Sequence, residues 1–220
     1  MTVTISRPVR RRPVFHSLRV ATVDRLTDDA VAITFAVPEE LRKAFAFQPG
    51  QHLTLRRYDP DGQEVRRSYS ICSTPQELAR DGRLRIGVRE IPGGAFSSFA
   101  CAALHAGDTV DVLPPLGKFT TALDPGRTRH YGAVVAGSGI TPVLSLVATA
   151  LAVEPSSTFT VVYGNRYARS VMFVEELADL KDRYPQRLHL MHVLSREPGE
   201  SPLLSGRIDA ERLGRLCDTL

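Results

Sequence analysis

Several short stretches of this 220-residue chain have residue types and spacing suited to holding phosphates and flat rings. In Arg67-Ser68-Tyr69-Ser70, an arginine and a tyrosine stand two residues apart. On an extended strand these two share one face, and Ser68 and Ser70 share the other. A guanidinium grips phosphate oxygens two at a time, and a tyrosine ring packs on a planar partner. Gly93-Gly94-Ala95-Phe96-Ser97 runs into a short helical pattern, where N–H groups and the Ser97 hydroxyl suit a second phosphate oxygen. Gly137-Ser138-Gly139-Ile140-Thr141-Pro142 lies between an apolar run and a helical one. Glycines there allow a tight turn, and the helix N-terminus beyond attracts anions. Pro142 is expected at the first helical position, where its missing N–H costs nothing. Each stretch also has a plain reading: a barrel-surface pair, a hairpin turn with a cap, a glycine-rich strand–helix turn. The glycine turn is shorter than the full G-x-G-x-x-G fingerprint.

Other chemistries have less support. Cys72, Cys101 and Cys217 share no metal-type spacing and are expected as free thiols. Cys72 is read as a small buried residue. The six histidines form no H-E-x-x-H or paired pattern, so none is assigned to metal or catalysis. No Ser/His/Asp set stands out.

Two textures of chain must position these stretches. Residues 18–121 read as six short strands separated by turn residues such as Pro49-Gly50, Asp59-Pro60-Asp61-Gly62 and Asp81-Gly82. That spacing predicts a small antiparallel barrel, with a helix only at 97–104. Past Asp124-Pro125-Gly126, strands at 131–136, 159–163 and 188–194 alternate with helices at 142–153, 171–183 and from about 209. Such alternation predicts a parallel sheet with crossover helices. The domain boundary is expected at 123–129, giving units 16–124 and 125–220 behind an arm at 1–15. Three strands are few for a doubly wound sheet.

Composition narrows the field further. The chain is 43% hydrophobic and 24% charged, which is ordinary for a folded protein and excludes disorder or a disulfide-built scaffold. The net charge of +4 comes from Arg7, Arg10, Arg11 and Arg12, all ahead of the first acid, Asp24. The arm is read as basic, flexible and solvated, and no nucleic-acid-binding face is expected. The longest apolar run, 142–153, carries Ser145 and Thr149 and falls short of the ~18 residues a membrane helix needs. Residues 1–13 lack an apolar leader core, so the cytoplasm is the expected compartment.

Taken in order, Arg67-Ser-Tyr-Ser70, Gly93 to Ser97, Pro115-Leu-Gly117 with Phe119, Gly137 to Pro142 and Tyr163-Gly-Asn-Arg166 resemble the ferredoxin–NADP reductase superfamily. Arg67-Ser-Tyr-Ser-Ile-Cys72, Ser170-Val-Met-Phe173 and Val193-Leu-Ser-Arg196 narrow the resemblance to the reductases of phenylacetate-degrading oxygenases, the phenylacetyl-CoA epoxidase type.

The resemblance implies a six-stranded Greek-key barrel that binds FAD, followed by a Rossmann-like domain that binds NADPH or NADH. It implies that Arg67 holds the FAD phosphates and that Tyr69 stacks on the isoalloxazine. Ser70 would hydrogen-bond near the hydride-accepting atom, with Ser68 beside it. Gly87-Val88-Arg89 would contact the sugar-phosphate part through backbone. Gly94, Ala95, Phe96 and Ser97 would form the second phosphate segment. Gly137, Ser138, Gly139, Thr141 and Pro142 would receive the nicotinamide pyrophosphate. Ser195 and Arg196 would hold a 2′-phosphate, with Arg166 and Arg169 assisting, and Asn165 would be a further cofactor-binding residue. The implied activity is an NAD(P)H-dependent flavoprotein reductase that passes electrons to an iron–sulfur partner or an oxygenase component. A NADH-dependent flavin reductase and a non-catalytic flavin-binding protein stay open as alternatives. Members also carry a Cys-Gly-Pro segment and, in this subfamily, a C-x4-C-x2-C [2Fe–2S] domain. Neither occurs here, so the sequence is expected to lack a C-terminal part, and [2Fe–2S] is expected only if such a domain follows.

Overall fold

The computed structural model describes residues 14–198 and 201–218; the basic arginines of the arm and the last two residues lie outside them. Six antiparallel strands come first: β1 (His16–Thr27), β2 (Ala30–Ala36), β3 (His52–Tyr58), β4 (Glu64–Ser70), β5 (Arg83–Arg89) and β6 (Thr109–Val112). Their order is β4-β3-β6-β1-β2-β5, so the crossings from β2 to β3 and from β4 to β5 skip across the sheet. An Ile71–Ile86 bridge brings the end of β4 to β5 and closes the barrel. Alternation sends Leu18, Val20, Ile33, Phe35, Leu53, Leu55, Leu84, Ile86 and Val88 into one apolar core.

Two helices in this half are corrections to the expectation of one. Helix α1 is Glu39–Arg42 and α2 is Pro75–Asp81. The sequence carried a signal for α2. Thr74 and Glu77 cap each other's backbone N–H, Pro75 sits in the first turn, and Gly82 ends the helix left-handed at φ 65°. Helix α3 (Ser97–Ala102) stops two residues before the expected end.

The second half has strands β7 (His130–Ala136), β8 (Thr158–Asn165) and β9 (Leu188–Leu194), all parallel in sequential order. Helix α4 is Ile140–Val153, α5 is Val174–Arg183 and α6 is Ala210–Cys217. Phe159, Val161 and Tyr163 of β8 pack with α4 and α5 on one face. Val162 and Val193 pack with Leu216 on the other. Two expected boundaries move. Helix α4 opens at Ile140, which makes Pro142 its third residue; it still lies in the first turn, where N–H groups have no helical partner. Helix α5 opens at Val174, because Phe173 before it is left-handed at φ 58°.

The two halves share buried surface. Ala30, Ala32 and Cys72 of the barrel join the core under α4 and α5. The Ser145 hydroxyl of α4 donates to Ser73 O at 2.7 Å, and Arg85 of β5 pairs with Glu176 of α5 at 2.7 Å. Gly87 leaves room for Phe173: a Cβ there would lie 2.8 Å from the ring. Among the described residues, no helix is long and apolar enough to cross a membrane.

Candidate functional site

Two cavities lie where the halves meet. The larger, about 970 Å³, is walled by Gly137 and Ser138 after β7, by Asn165 at the end of β8 with Arg166, Arg169 and Ser170 after it, and by Ser195 and Arg207 after β9. These are the C-terminal ends of parallel strands, where open α/β sheets bind ligands. The smaller, about 340 Å³, is walled by Ser68, Tyr69 and Ser70 of β4, by Gly87 of β5, and by Ser138 and Thr141. Arg89, Glu90 and Ser138 belong to both walls.

In the smaller cavity, Tyr69 rests against Phe96, with ring centroids 5.4 Å apart. Partial burial pushes its hydroxyl pKa up to about 12, so the phenol stays protonated and keeps a proton to donate. On the other face of β4, Ser68 bonds Thr54 across the pair at 3.0 Å. Arg67 is exposed and, among the described residues, bonds its neighbour's carbonyl, Arg66 O, at 2.7 Å. Its remaining donors are available to an incoming phosphate.

The expected second phosphate segment folds into a tight turn beside this cavity. Phe96 is wholly buried in the barrel core, where it backs the Tyr69 ring. The Ser97 hydroxyl is also buried and accepts the Ile91 N–H at 3.1 Å. A Cβ on Gly94 would collide with that hydroxyl, so glycine is what lets the turn close. What the segment offers outward is backbone around Ala95. Arg57 steadies it: its guanidinium bonds Ala95 O at 2.9 Å and lies 4.0 Å over the Phe99 ring. Val88 is buried in the barrel and takes no part in either wall.

In the larger cavity, Gly137 adopts φ 52°, a left-handed conformation that favours glycine. Its carbonyl accepts the hydroxyl of the buried Tyr163 at 2.9 Å, which holds the turn from beneath. Gly139 faces open space, and Thr141 closes the turn by donating to Ser138 O at 2.8 Å. Arg89 reaches across from the barrel. It donates to Ser170 O at 2.5 Å and approaches Asp29 at 3.4 Å. Arg166, Arg169 and Arg207 add cationic groups to the wall, whereas Arg196 is exposed and stands outside it. Arg207 lay beyond the expected set. Its signal was positional: Gly206 and Ile208 bring the chain back against Gly164 at the end of β8.

The arrangement combines a ring-binding face, a glycine turn at a helix start and several arginines aimed at one cleft. The oxidoreductase FAD-binding domain family matches residues 17–121, and the oxidoreductase NAD-binding domain family matches residues 134–219. The chain therefore belongs to the ferredoxin–NADP reductase family of flavin- and nicotinamide-binding oxidoreductases. It is 50% identical over 206 residues to a component of the 1,2-phenylacetyl-CoA epoxidase of Escherichia coli, covering 94% of this chain and 56% of the relative. It is 40% identical over 182 residues to the ferredoxin reductase component of 3-ketosteroid-9-alpha-monooxygenase from Rhodococcus rhodochrous, covering 83% and 50%. The chain thus spans about half the length of the curated relatives it matches. The crystal structure of the Amycolatopsis cytochrome P450 reductase GcoB superposes with a TM-score of 0.74 at 26% identity, covering 95% of this chain and 60% of that one. A Neisseria gonorrhoeae ferredoxin NADP+ reductase with bound FAD and NADP shares the fold, with a TM-score of 0.71 at 21% identity, covering 93% and 77%.

Proposed function

We propose that this chain is the flavin- and nicotinamide-binding part of a reductase that takes electrons from NADPH and delivers them to the redox partner of a multicomponent oxygenase, of the phenylacetyl-CoA epoxidase type. The observation that carries this reading is the meeting of the two cavities at Arg89, Glu90 and Ser138. A donor held by the glycine turn and an acceptor held by β4 would share a wall there. The residues fit both groups: a left-handed glycine cradle under a helix start, guanidinium donors in the wall, and a buried amide at Asn165 whose oxygen has no partner among the described residues.

Bound FAD supplies the conversion from a two-electron donor to one-electron acceptors. The chain's own groups bind and orient. Arg67 is assigned to the FAD phosphates, and Ala95 backbone, held by Arg57, to a second phosphate contact. Tyr69 is assigned to the flat face of the ring system, and Ser70 to a hydrogen bond at its edge. Gly137 through Thr141 are assigned to the dinucleotide pyrophosphate. Arg166, Arg169 and Arg207 are assigned to its remaining charge. No side chain need act as a strong acid or base, so positioning is the protein's main share. The flavin-holding unit is assigned to 16–124 and the nucleotide-holding unit to 125–220.

The test is a visible absorption spectrum of the purified chain with FAD, followed by anaerobic addition of NADPH or NADH. A bound-flavin spectrum that bleaches supports the reductase reading, and the faster donor identifies the coenzyme. Bound flavin that stays oxidised with both donors points to a non-catalytic flavin carrier. A folded protein that binds no flavin overturns the proposal.

A further inference from the structure

Asn165 ends β8 on the floor of the larger cavity and is 7% exposed. Within the described residues its amide oxygen has no hydrogen-bond partner, and its amide nitrogen, with two N–H groups, approaches only the Tyr163 hydroxyl oxygen. Tyr163 lies two residues back on the same strand face; its hydroxyl proton goes to Gly137 O at 2.9 Å, so its oxygen can take one amide N–H but it has no proton left for the amide oxygen. The Asn165 backbone is fixed: its carbonyl accepts the Ser195 N–H at 2.8 Å. A rigidly placed, buried amide with both a donor and an acceptor unmet is uncommon in a folded protein, and such groups call for a partner.

Resting on the dinucleotide reading above, we infer that Asn165 recognises an uncharged donor–acceptor group of the bound dinucleotide, a ribose hydroxyl, and leaves the phosphates to other residues. A hydroxyl donates one hydrogen bond and accepts others, so it satisfies both ends of an amide. A phosphate only accepts. It would use the Asn165 nitrogen and leave Oδ1 unmet and facing negative charge. The cavity already holds phosphate chemistry elsewhere, in Arg166, Arg169, Arg207 and the Gly137 turn. Asn165 is thereby a specificity-determining residue that reads the sugar, while the arginines read the charge.

The experiment is calorimetric titration of NADP+ and of NAD+ into the FAD-loaded protein and its Asn165→Asp, Asn165→Leu and Asn165→Ala variants. FAD retention and thermal midpoint report folding, and the alanine variant serves if the leucine variant fails that check. A carboxylate still accepts from a hydroxyl, so Asn165→Asp should stay within about threefold of the parent. Asn165→Leu or Asn165→Ala should weaken binding about tenfold or more, and equally for NADP+ and NAD+. Asn165→Asp binding worse than Asn165→Leu would identify a phosphate neighbour and overturn the inference. Loss confined to NADP+ would place Asn165 at the 2′-phosphate and also overturn it. Unchanged affinity in both apolar variants would show that the amide meets no ligand. A parent protein that takes up FAD but neither dinucleotide would overturn the dinucleotide reading itself.

Discussion

Arg57 belongs to no motif, yet its guanidinium bonds Ala95 O and covers the Phe99 ring, bracing the turn beside the β4 cavity. Arg67, which the motif did reveal, is exposed and, among the described residues, bonds a neighbouring carbonyl. The contrast is physical. Arg67 stands in a run of neighbours whose types and spacing can be read together, whereas a residue that braces another segment 38 positions away leaves no local pattern. Arg196 and Arg207 run the other way: Arg196 stood out by its neighbours in sequence yet lies outside the cavity wall, whereas Arg207 is in the wall because the chain returns there after β9, which no local pattern records. Two predictions belong at this scale. Arg67→Ala should purify largely free of flavin, read from the ratio of visible to ultraviolet absorbance; full retention of FAD would remove the assigned phosphate role. Arg207→Ala should weaken NADP+ binding by calorimetry more than Arg196→Ala does, since only Arg207 faces the cavity. Equal losses would disprove that ranking.

Among the elements, the alternating strands were legible because a barrel buries every second residue, and that period is written in Leu18 and Val20 or Leu53 and Leu55. Short helices were less so. The α2 helix depends on one reciprocal cap, Thr74 with Glu77, and seven residues give little periodicity to detect. The glycine turn after β7 was visible as a sequence, but its support was not. Tyr163 is wholly buried in the core, and its hydroxyl holds Gly137 O. Burial also raises the Tyr163 pKa, so it remains a donor at physiological pH. Tyr163→Phe keeps the packing and removes the donor. It should weaken NADP+ affinity by a factor of about 3–10, the ordinary worth of one hydrogen bond, with FAD affinity unchanged. Parallel loss of both ligands would mean the change had disturbed the fold instead.

For the whole molecule, the seam between the two halves decides how accurately one cavity faces the other. That seam was invisible in the sequence, because Gly87, Phe173, Arg85 and Glu176 come from distant segments. Gly87→Ala should drive a Cβ into the Phe173 ring and lower stability by roughly 1–3 kcal/mol, as overpacking does. Adding Phe173→Leu should restore part of that loss in thermal melts; no restoration would mean the contact is not the cause. A second anchor lies at the boundary segment. Burial opposes the charge on Glu154, but Ser157, the Asp124 N–H and the Tyr131 hydroxyl all donate to it, and its pKa falls below the ordinary value. A lowered folded-state pKa stabilises above the unfolded value of about 4.3 and ceases to do so as the pH falls. Glu154→Gln should therefore melt below the parent at neutral pH, with the gap narrowing beneath about pH 4. A gap independent of pH would show that charge is not what matters there.

Arg89 is part of both cavity walls and touches Ser170 from the barrel side. Two occupants that press on one guanidinium cannot bind as strangers. Whatever factor a ligand in the first cavity imposes on the affinity of the second, the second must return to the first, because the cycle of four states closes. Measuring either dissociation constant with the other cavity empty and then filled yields that factor twice, from opposite directions. With Arg89→Met the two numbers should both move toward one.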